Sequence, residues 1–199
     1  QSTITPRKAL ELLKTGNQRF VNNLKANRNL LEQVNETSEG QWPFAIVLSC
    51  IDSRTSAELI FDQGLGDIFS VRIAGNIVNT DILGSMEFAC KVAGAKLILV
   101  MGHQHCGAIK GAIDDVKLGN ITAMLTKIKP AVAMSQNFEG EKVSSNPLFM
   151  KRVNENNIRN TLKAIREKSP ILREMEDKGQ IKIVGAFYRL TDATMEFVE

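Results

Sequence analysis

Apolar positions along the chain follow two periods. Unbroken apolar runs at residues 44–48 and 97–101 read as the cores of buried strands that span 44–50 and 95–101. Residues 67–73, Asp67-Ile68-Phe69-Ser70-Val71-Arg72-Ile73, alternate in polarity and read as another strand, closed by Ala74-Gly75-Asn76. A fourth strand spans 180–188, and Thr191-Asp192-Ala193-Thr194 turns the chain into a short final strand at 195–198. Helical spacing governs 56–61, 82–94, 121–135 and 147–168, with a polar loop near Gly140 between the last two. Another helix follows Cys106, where Ile109, Ala112, Ile113 and Val116 recur at helical intervals. Strands alternating with helices predict an α/β fold. Its central sheet is mainly parallel, four strands plus a short C-terminal strand, with helices on both faces.

Ahead of the sheet, Thr5-Pro6 pairs a capping hydroxyl with a proline at the first helical position. Leu10 and Leu13 lie before Gly16-Asn17, and Phe20, Val21 and Leu24 after it, so that dipeptide predicts a break. Residues 25–41 are polar and read as a loop with a short helical piece. The chain thus divides into an N-terminal helical arm and loop, 1–41, and one α/β core, 42–199. The arm is amphipathic and must lie on its own sheet or on a partner subunit.

Composition changes little in this picture. A chain of 199 residues with 43% hydrophobic and 24% charged residues suits one globular domain. A net charge of +3 without a Lys/Arg block gives no support to nucleic-acid binding. No apolar run approaches the ~18 residues of a spanning helix, so no membrane partner is expected. The chain opens on Gln1; both a removed leader and a trimmed terminus account for that. The default compartment is the cytoplasm, and a signal peptide cleaved before Gln1 would make it periplasmic or secreted.

The chemistry sits where two strands end. Cys50-Ile51-Asp52-Ser53-Arg54 follows the first apolar run, and His103-Gln104-His105-Cys106 follows the third strand. The carboxyl edge of a parallel sheet is where such folds bind ligands. Two thiolates and an imidazole suit zinc, and three protein ligands leave a fourth position open for chemistry. Cys106 opens a helix, whose N–H groups favour thiolate; Cys50 has none and relies on the metal for deprotonation. Asp52 and Arg54, two residues apart, can pair in a fork, which is either a surface ion pair or a device beside the metal. Cys90, in a helical stretch, reads as a small buried hydrophobe. His105 is either a proton carrier, with an unperturbed pKa of ~6.5, or a plain loop residue. Gly64-x-Gly66 lacks the third glycine of a dinucleotide loop.

Cys-x-Asp-Ser-Arg followed by Gly-His-x-x-Cys-Gly resembles the signature of the β-class carbonic anhydrases. The resemblance extends to Ala9-Leu10 through Gly16-Asn17-x-Arg19-Phe20, to Gly66-Asp67-Ile68-Phe69 through Arg72-x-Ala74-Gly75-Asn76, and to Gly84-Ser85-x-Glu87-Phe88-Ala89. Val184-Gly185-Ala186-Phe187-Tyr188 matches the last core strand, so nearly the whole chain is covered. It implies that Cys50, His103 and Cys106 hold one Zn²⁺ per chain and that Asp52 and Arg54 form a catalytic dyad. Gln41 would hydrogen-bond the substrate, and Phe69, Ala74 and Phe88 would line a small apolar pocket. The implied reaction is reversible hydration of CO₂ to bicarbonate and a proton by zinc-bound hydroxide. The implied assembly is a homodimer or dimer of dimers, with N-terminal helices reaching across the partner. Members that close the site by letting Asp bind zinc often carry Trp and Gly where this chain has Val47 and Ser49. That departure favours the open, plant-like type. A carbonyl sulfide or carbon disulfide hydrolase on the same site, and a non-catalytic zinc or bicarbonate-binding module, are the rival readings.

Overall fold

The computed structural model describes residues 3–198. Five strands form one sheet in the order β2-β1-β3-β4-β5. They are β1 (Ala45–Ser49), β2 (Ile68–Arg72), β3 (Leu97–His103), β4 (Lys182–Tyr188) and β5 (Met195–Val198). The first four are parallel, and β5 runs antiparallel to β4. This is the four-plus-one sheet that the polarity pattern predicts.

Strand alternation separates two cores. Ala45, Val47, Leu97, Leu99 and Met101 face a layer built from α1 (Pro6–Val21) and α3 (Ala57–Ile60). Ile46, Leu48, Ile98, Val100 and Ile183 face α4 (Thr80–Glu87), α8 (Pro147–Lys168) and α9 (Pro170–Asp177). Every residue of β1 and β3 is buried, as unbroken apolar runs require when both faces are covered. A third cluster lies beyond the carboxyl edge, under α5 (Gly107–Ile113), α6 (Gly119–Thr126) and α7 (Lys129–Met134). It contains Cys50 and Cys106, so the metal-ligand candidates rest on packed side chains.

Four local expectations need correction. Helix α1 passes through Gly16-Asn17 without a break. Gly16 is there for space, since a Cβ would stand 1.8 Å from the Phe61 carbonyl oxygen. Asn17 is buried and donates to the Ile60 and Ala193 carbonyls at 3.2 and 3.0 Å. The stretch at 121–135 is two helices, α6 and α7, with Pro130 in the first turn of the second. Val116 lies beyond the end of α5 and is exposed. The 82–94 helix starts earlier, capped by Asn79, and its last turn, Phe88–Val92, is a π-helix. Cys90 lies in that turn, fully buried, and burial pushes its thiol up to about 12.

Helix α9 escaped the periodicity reading, although Ser169-Pro170 repeats the Thr5-Pro6 signature and Ser169 caps Leu172 N–H. A short α2 (Leu30–Glu36) occupies the polar 25–41 segment. Asp62 joins that segment to the core. Its side chain is 4% exposed and accepts from Arg19 Nε (2.5 Å), Arg28 Nη1 (2.6 Å) and the Ala26 amide (3.1 Å). Burial alone would raise the Asp62 pKa, but these donors outweigh it and lower it. Asp62→Ala is expected to cost about 2–3 kcal/mol, measured from the denaturant midpoint at neutral pH. A depressed folded pKa contributes stability above the ordinary carboxylate range, about 4, and loses it as pH falls through the folded value. The gap between wild type and variant therefore closes on acidification.

Candidate metal centre

Strands β1 and β3 are neighbours, with Ser49 opposite Met101, so Cys50 and His103 leave the sheet side by side. Strand β3 extends through His103, two residues past its predicted end, which holds the imidazole on a rigid ladder. Cys106 precedes the first residue of α5. The ligand atoms of Cys50, His103 and Cys106 lie within 4.8 Å of one another, all buried, and the two sulfurs are 3.9 Å apart. His103 Nδ1 lies 2.9 Å from the Gln104 carbonyl. An N–H there leaves Nε2 with its lone pair free, and Nε2 is buried without a hydrogen-bond partner. Two soft sulfurs and an orphaned imidazole nitrogen fit zinc, and no fourth His or Cys joins them among the described residues.

Asp52 and Arg54 stand beside this triad. Arg54 Nε and Nη2 reach the two carboxylate oxygens at 2.9 and 2.8 Å, and the Arg54 amide adds a bond of 3.0 Å. Asp52 Oδ2 is 4.0 Å from His103 Nδ1. The Arg54 fork holds the Asp52 carboxyl well below the usual carboxylate range. Backbone in this loop is fixed by side chains to which the sequence assigned no role. Arg72 donates to the Cys50 carbonyl (3.0 Å) and the Asp52 carbonyl (2.5 Å), and buried Thr55 Oγ1 to the same two oxygens. Arg72 stands in the Arg72-x-Ala74-Gly75-Asn76 motif, but nothing along the chain marks these carbonyls as its partners.

The two thiols act on each other. A hydrogen bond with Cys106 lowers the Cys50 pKa, whereas Cys106 is raised, first by that same contact and then by burial. The Ala108 and Ile109 N–H groups at the start of α5 lower Cys106 but are outweighed. Thiolate is the ligating form, so zinc binding is expected to release protons and to weaken as pH falls. Calorimetric titrations in two buffers of different protonation enthalpy detect those protons; identical heats would refute thiol deprotonation on binding.

The remaining predicted residues divide into two groups. Ala74, half-buried, adjoins Gly75, whose N–H lies 3.5 Å from Cys50 Sγ. Phe69 pairs with Ile46, four residues before Cys50, about 13 Å away along the strand. Phe88, 53% exposed, meets Phe69 edge to face with ring centroids 6.4 Å apart. Gln41 is exposed and precedes the amino end of β1, opposite the end that carries Cys50. His105 is exposed beside Cys106, at a positive φ of 57°.

Fold and site together define an α/β protein with a three-ligand centre at the carboxyl edge of a parallel sheet. Comparison with known proteins agrees. The family model described as carbonic anhydrase matches residues 45–195. Carbonic anhydrase 2 of Mycobacterium tuberculosis is 33% identical over 193 residues, covering 94% of this chain and 90% of that one. The β-carbonic anhydrase CcaA is 26% identical with a TM-score of 0.71, covering 95% and 98% of the two chains. The β-carbonic anhydrase CafA of Aspergillus fumigatus shares the fold, with a TM-score of 0.74 at 24% identity over 85% and 81%. This chain belongs to the β class of carbonic anhydrases, and it is an enzyme of that family.

Proposed function

We propose that the chain catalyses the reversible hydration of CO₂ to bicarbonate and a proton with one Zn²⁺ held by Cys50, His103 and Cys106. The observation that carries this reading is a buried triad of three ligand atoms with the Asp52–Arg54 fork beside it. Bound there, zinc supplies the Lewis acidity that makes an oxygen nucleophile available near neutral pH. Asp52, kept ionised by Arg54, accepts a hydrogen bond from that nucleophile and orients it. Arg54 also keeps the carboxylate from occupying the metal's open position, which is the open type of site that Val47 and Ser49 favour. Ala74 leaves room beside Cys50 for a small linear substrate.

Phe69, Phe88 and Gln41 stand too far from the triad of their own chain to line its pocket. Phe69 lies on β2, which is an edge strand of the sheet among the described residues, and Phe88 packs on Phe69; Trp42, close to Gln41 in the chain, is also exposed. An open edge strand flanked by apolar side chains is a surface for another chain. In our reading the chain is a homodimer or a dimer of dimers, and a second copy brings its Gln41, Phe69 and Phe88 to the first copy's metal. Gln41 then offers its amide to the bicarbonate oxygen that forms.

Stopped-flow CO₂ hydration by the zinc-loaded protein tests the activity, with CS₂ hydrolysis measured on the same sample. Faster turnover of CS₂ would favour the hydrolase reading; no turnover of either at any pH would favour the binding module. Mixing two weakened variants tests the shared site. Cys106→Ser and the Phe69→Ala/Phe88→Ala double variant, refolded together, are expected to recover activity that neither has alone. No recovery in a mixture shown to contain hybrid dimers would return the pocket to a single chain.

A further inference from the structure

Helix α8 carries polar side chains on a buried face, where an apolar residue would pack without needing partners. Asn154, Asn157 and Thr161 follow one another at intervals of three and four, which places them along one stripe of the helix. Each grips a main-chain carbonyl in a segment that carries or touches a metal ligand. Asn154 Nδ2 donates to the His103 carbonyl at 2.8 Å and Asn157 Nδ2 to the Gly75 carbonyl at 2.7 Å. Thr161 Oγ1 donates to the Asn76 carbonyl at 3.2 Å. Asn156 is equally buried, but its amide turns away to Ser135 Oγ at 2.9 Å.

Gly75 connects this stripe to the metal centre. Its φ is +72°, and a Cβ there would meet Ile128 Cδ1 at 2.6 Å and Ala108 Cβ at 3.2 Å, so the position takes glycine alone. A glycine free of its neighbours would let its peptide planes swing. Here Asn157 takes its carbonyl and Thr161 takes the next one, and the Gly75 N–H is left facing Cys50 Sγ at 3.5 Å. An N–H bonded to a ligating sulfur withdraws charge from it and weakens its donation to the metal.

We propose that Asn157 is a positioning residue of the metal site: by holding the Gly75 carbonyl it aims the Gly75 N–H at Cys50 and so sets that sulfur's donor strength. The assignment rests on the reading of Cys50 as a metal ligand. It extends the site from the two ligand loops to a helix far along the chain. Asn157 touches neither metal nor substrate, and it acts through one residue, Gly75, whose N–H and carbonyl belong to successive peptide units joined at its Cα.

Cobalt replacing zinc in the full chain gives a readout that plain destabilisation does not move. Asn157→Ala is expected to shift the thiolate-to-cobalt charge-transfer band to longer wavelength, because the unbonded sulfur is richer in electrons. Asn156→Ala loses a buried amide of the same helix and is expected to lower Tm while leaving the band in place. Coincident bands in wild type, Asn156→Ala and Asn157→Ala would overturn the proposal. Wild-type protein loaded with ¹¹³Cd supplies a second test that needs no variant to fold. The Gly75 amide proton is expected to show scalar coupling to cadmium through the sulfur. Coupling at the Cys50 and Cys106 β-protons but none at Gly75 would overturn the positioning role and leave the metal reading intact. No coupling at either cysteine would overturn both.

Discussion

Cys106→Ser is expected to purify with little or no zinc and to lose CO₂ hydration by at least about 10²-fold. That floor is what disturbing an outer partner of a metal ligand commonly costs, and here the ligand itself is lost. Cys106 Sγ is fully buried, 3.9 Å from Cys50 Sγ and in the same cluster of ligand atoms as His103. A serine hydroxyl is a hard donor with a far higher pKa than a thiol, and burial already disfavours charge at this position. Two ligands alone would hold the metal weakly. Zinc per chain, hydration rate and near-UV circular dichroism on one preparation separate metal loss from unfolding. A folded variant with stoichiometric zinc and full activity would remove Cys106 from the ligand set.

Arg54→Ala is expected to lower the maximal hydration rate by about 10²-fold, the scale on which misplacing a positioned group is felt. The wild-type rate is expected to climb from about pH 7 to about pH 9. Two thiolates offset the charge of Zn²⁺ more than two imidazoles would. Zinc held by this triad would therefore be a weaker Lewis acid than zinc held by three histidines, where bound water has a pKa of ~7. Asp52 does not produce that climb. The Arg54 fork depresses its carboxyl, so it is ionised throughout the range. Without the fork the Asp52 pKa returns upward toward ~3.9, still below the working range, so the variant keeps an ionised carboxylate. Unpaired and 4.0 Å from the His103 ring, that carboxylate is free to compete for the metal's open position. Its charge also pushes the climb to higher pH. Initial rates across the pH range at fixed ionic strength, wild type beside variant, measure both effects. A wild-type profile flat from about pH 6.5 upward would overturn the ligand-charge argument, and superimposed profiles would overturn the role of Arg54.

Much of this protein was legible along the chain because its determinants are local. Unbroken apolar runs at 44–48 and 97–101 specified strands covered on both faces, and β1 and β3 are buried throughout. Thr5-Pro6 sets a helix start through capping geometry that involves neighbours only. The candidate ligand set was legible because Cys50 and His103 stand where buried strands end, at the sheet's carboxyl edge, with Cys106 in the same loop as His103. What failed locally failed where a distant residue overrides propensity. Gly16 remains helical because the Phe61 carbonyl occupies the place of a side chain, and nothing near Gly16 in the chain records that.

Only the tertiary structure decided how the site is tuned. The helix start at Cys106 favours thiolate there, but contact with Cys50 and burial oppose it at the same sulfur. Such shifts depend on what lies within a few ångströms in space, whatever its distance along the chain. Phe69 and Phe88 carry the pocket motif, yet the register that sets Phe69 opposite Ile46 removes them from their own triad. Asn157 and Gly75 are 82 positions apart, and no period in the chain marks them as partners. By itself the sequence determined the strands, the candidate ligands and the Asp52–Arg54 pair, because each is written in short local motifs. Contact between the sulfurs, the placement of Phe69 and Phe88 and the support from α8 came from packing, because each depends on segments that meet only when the sheet is assembled.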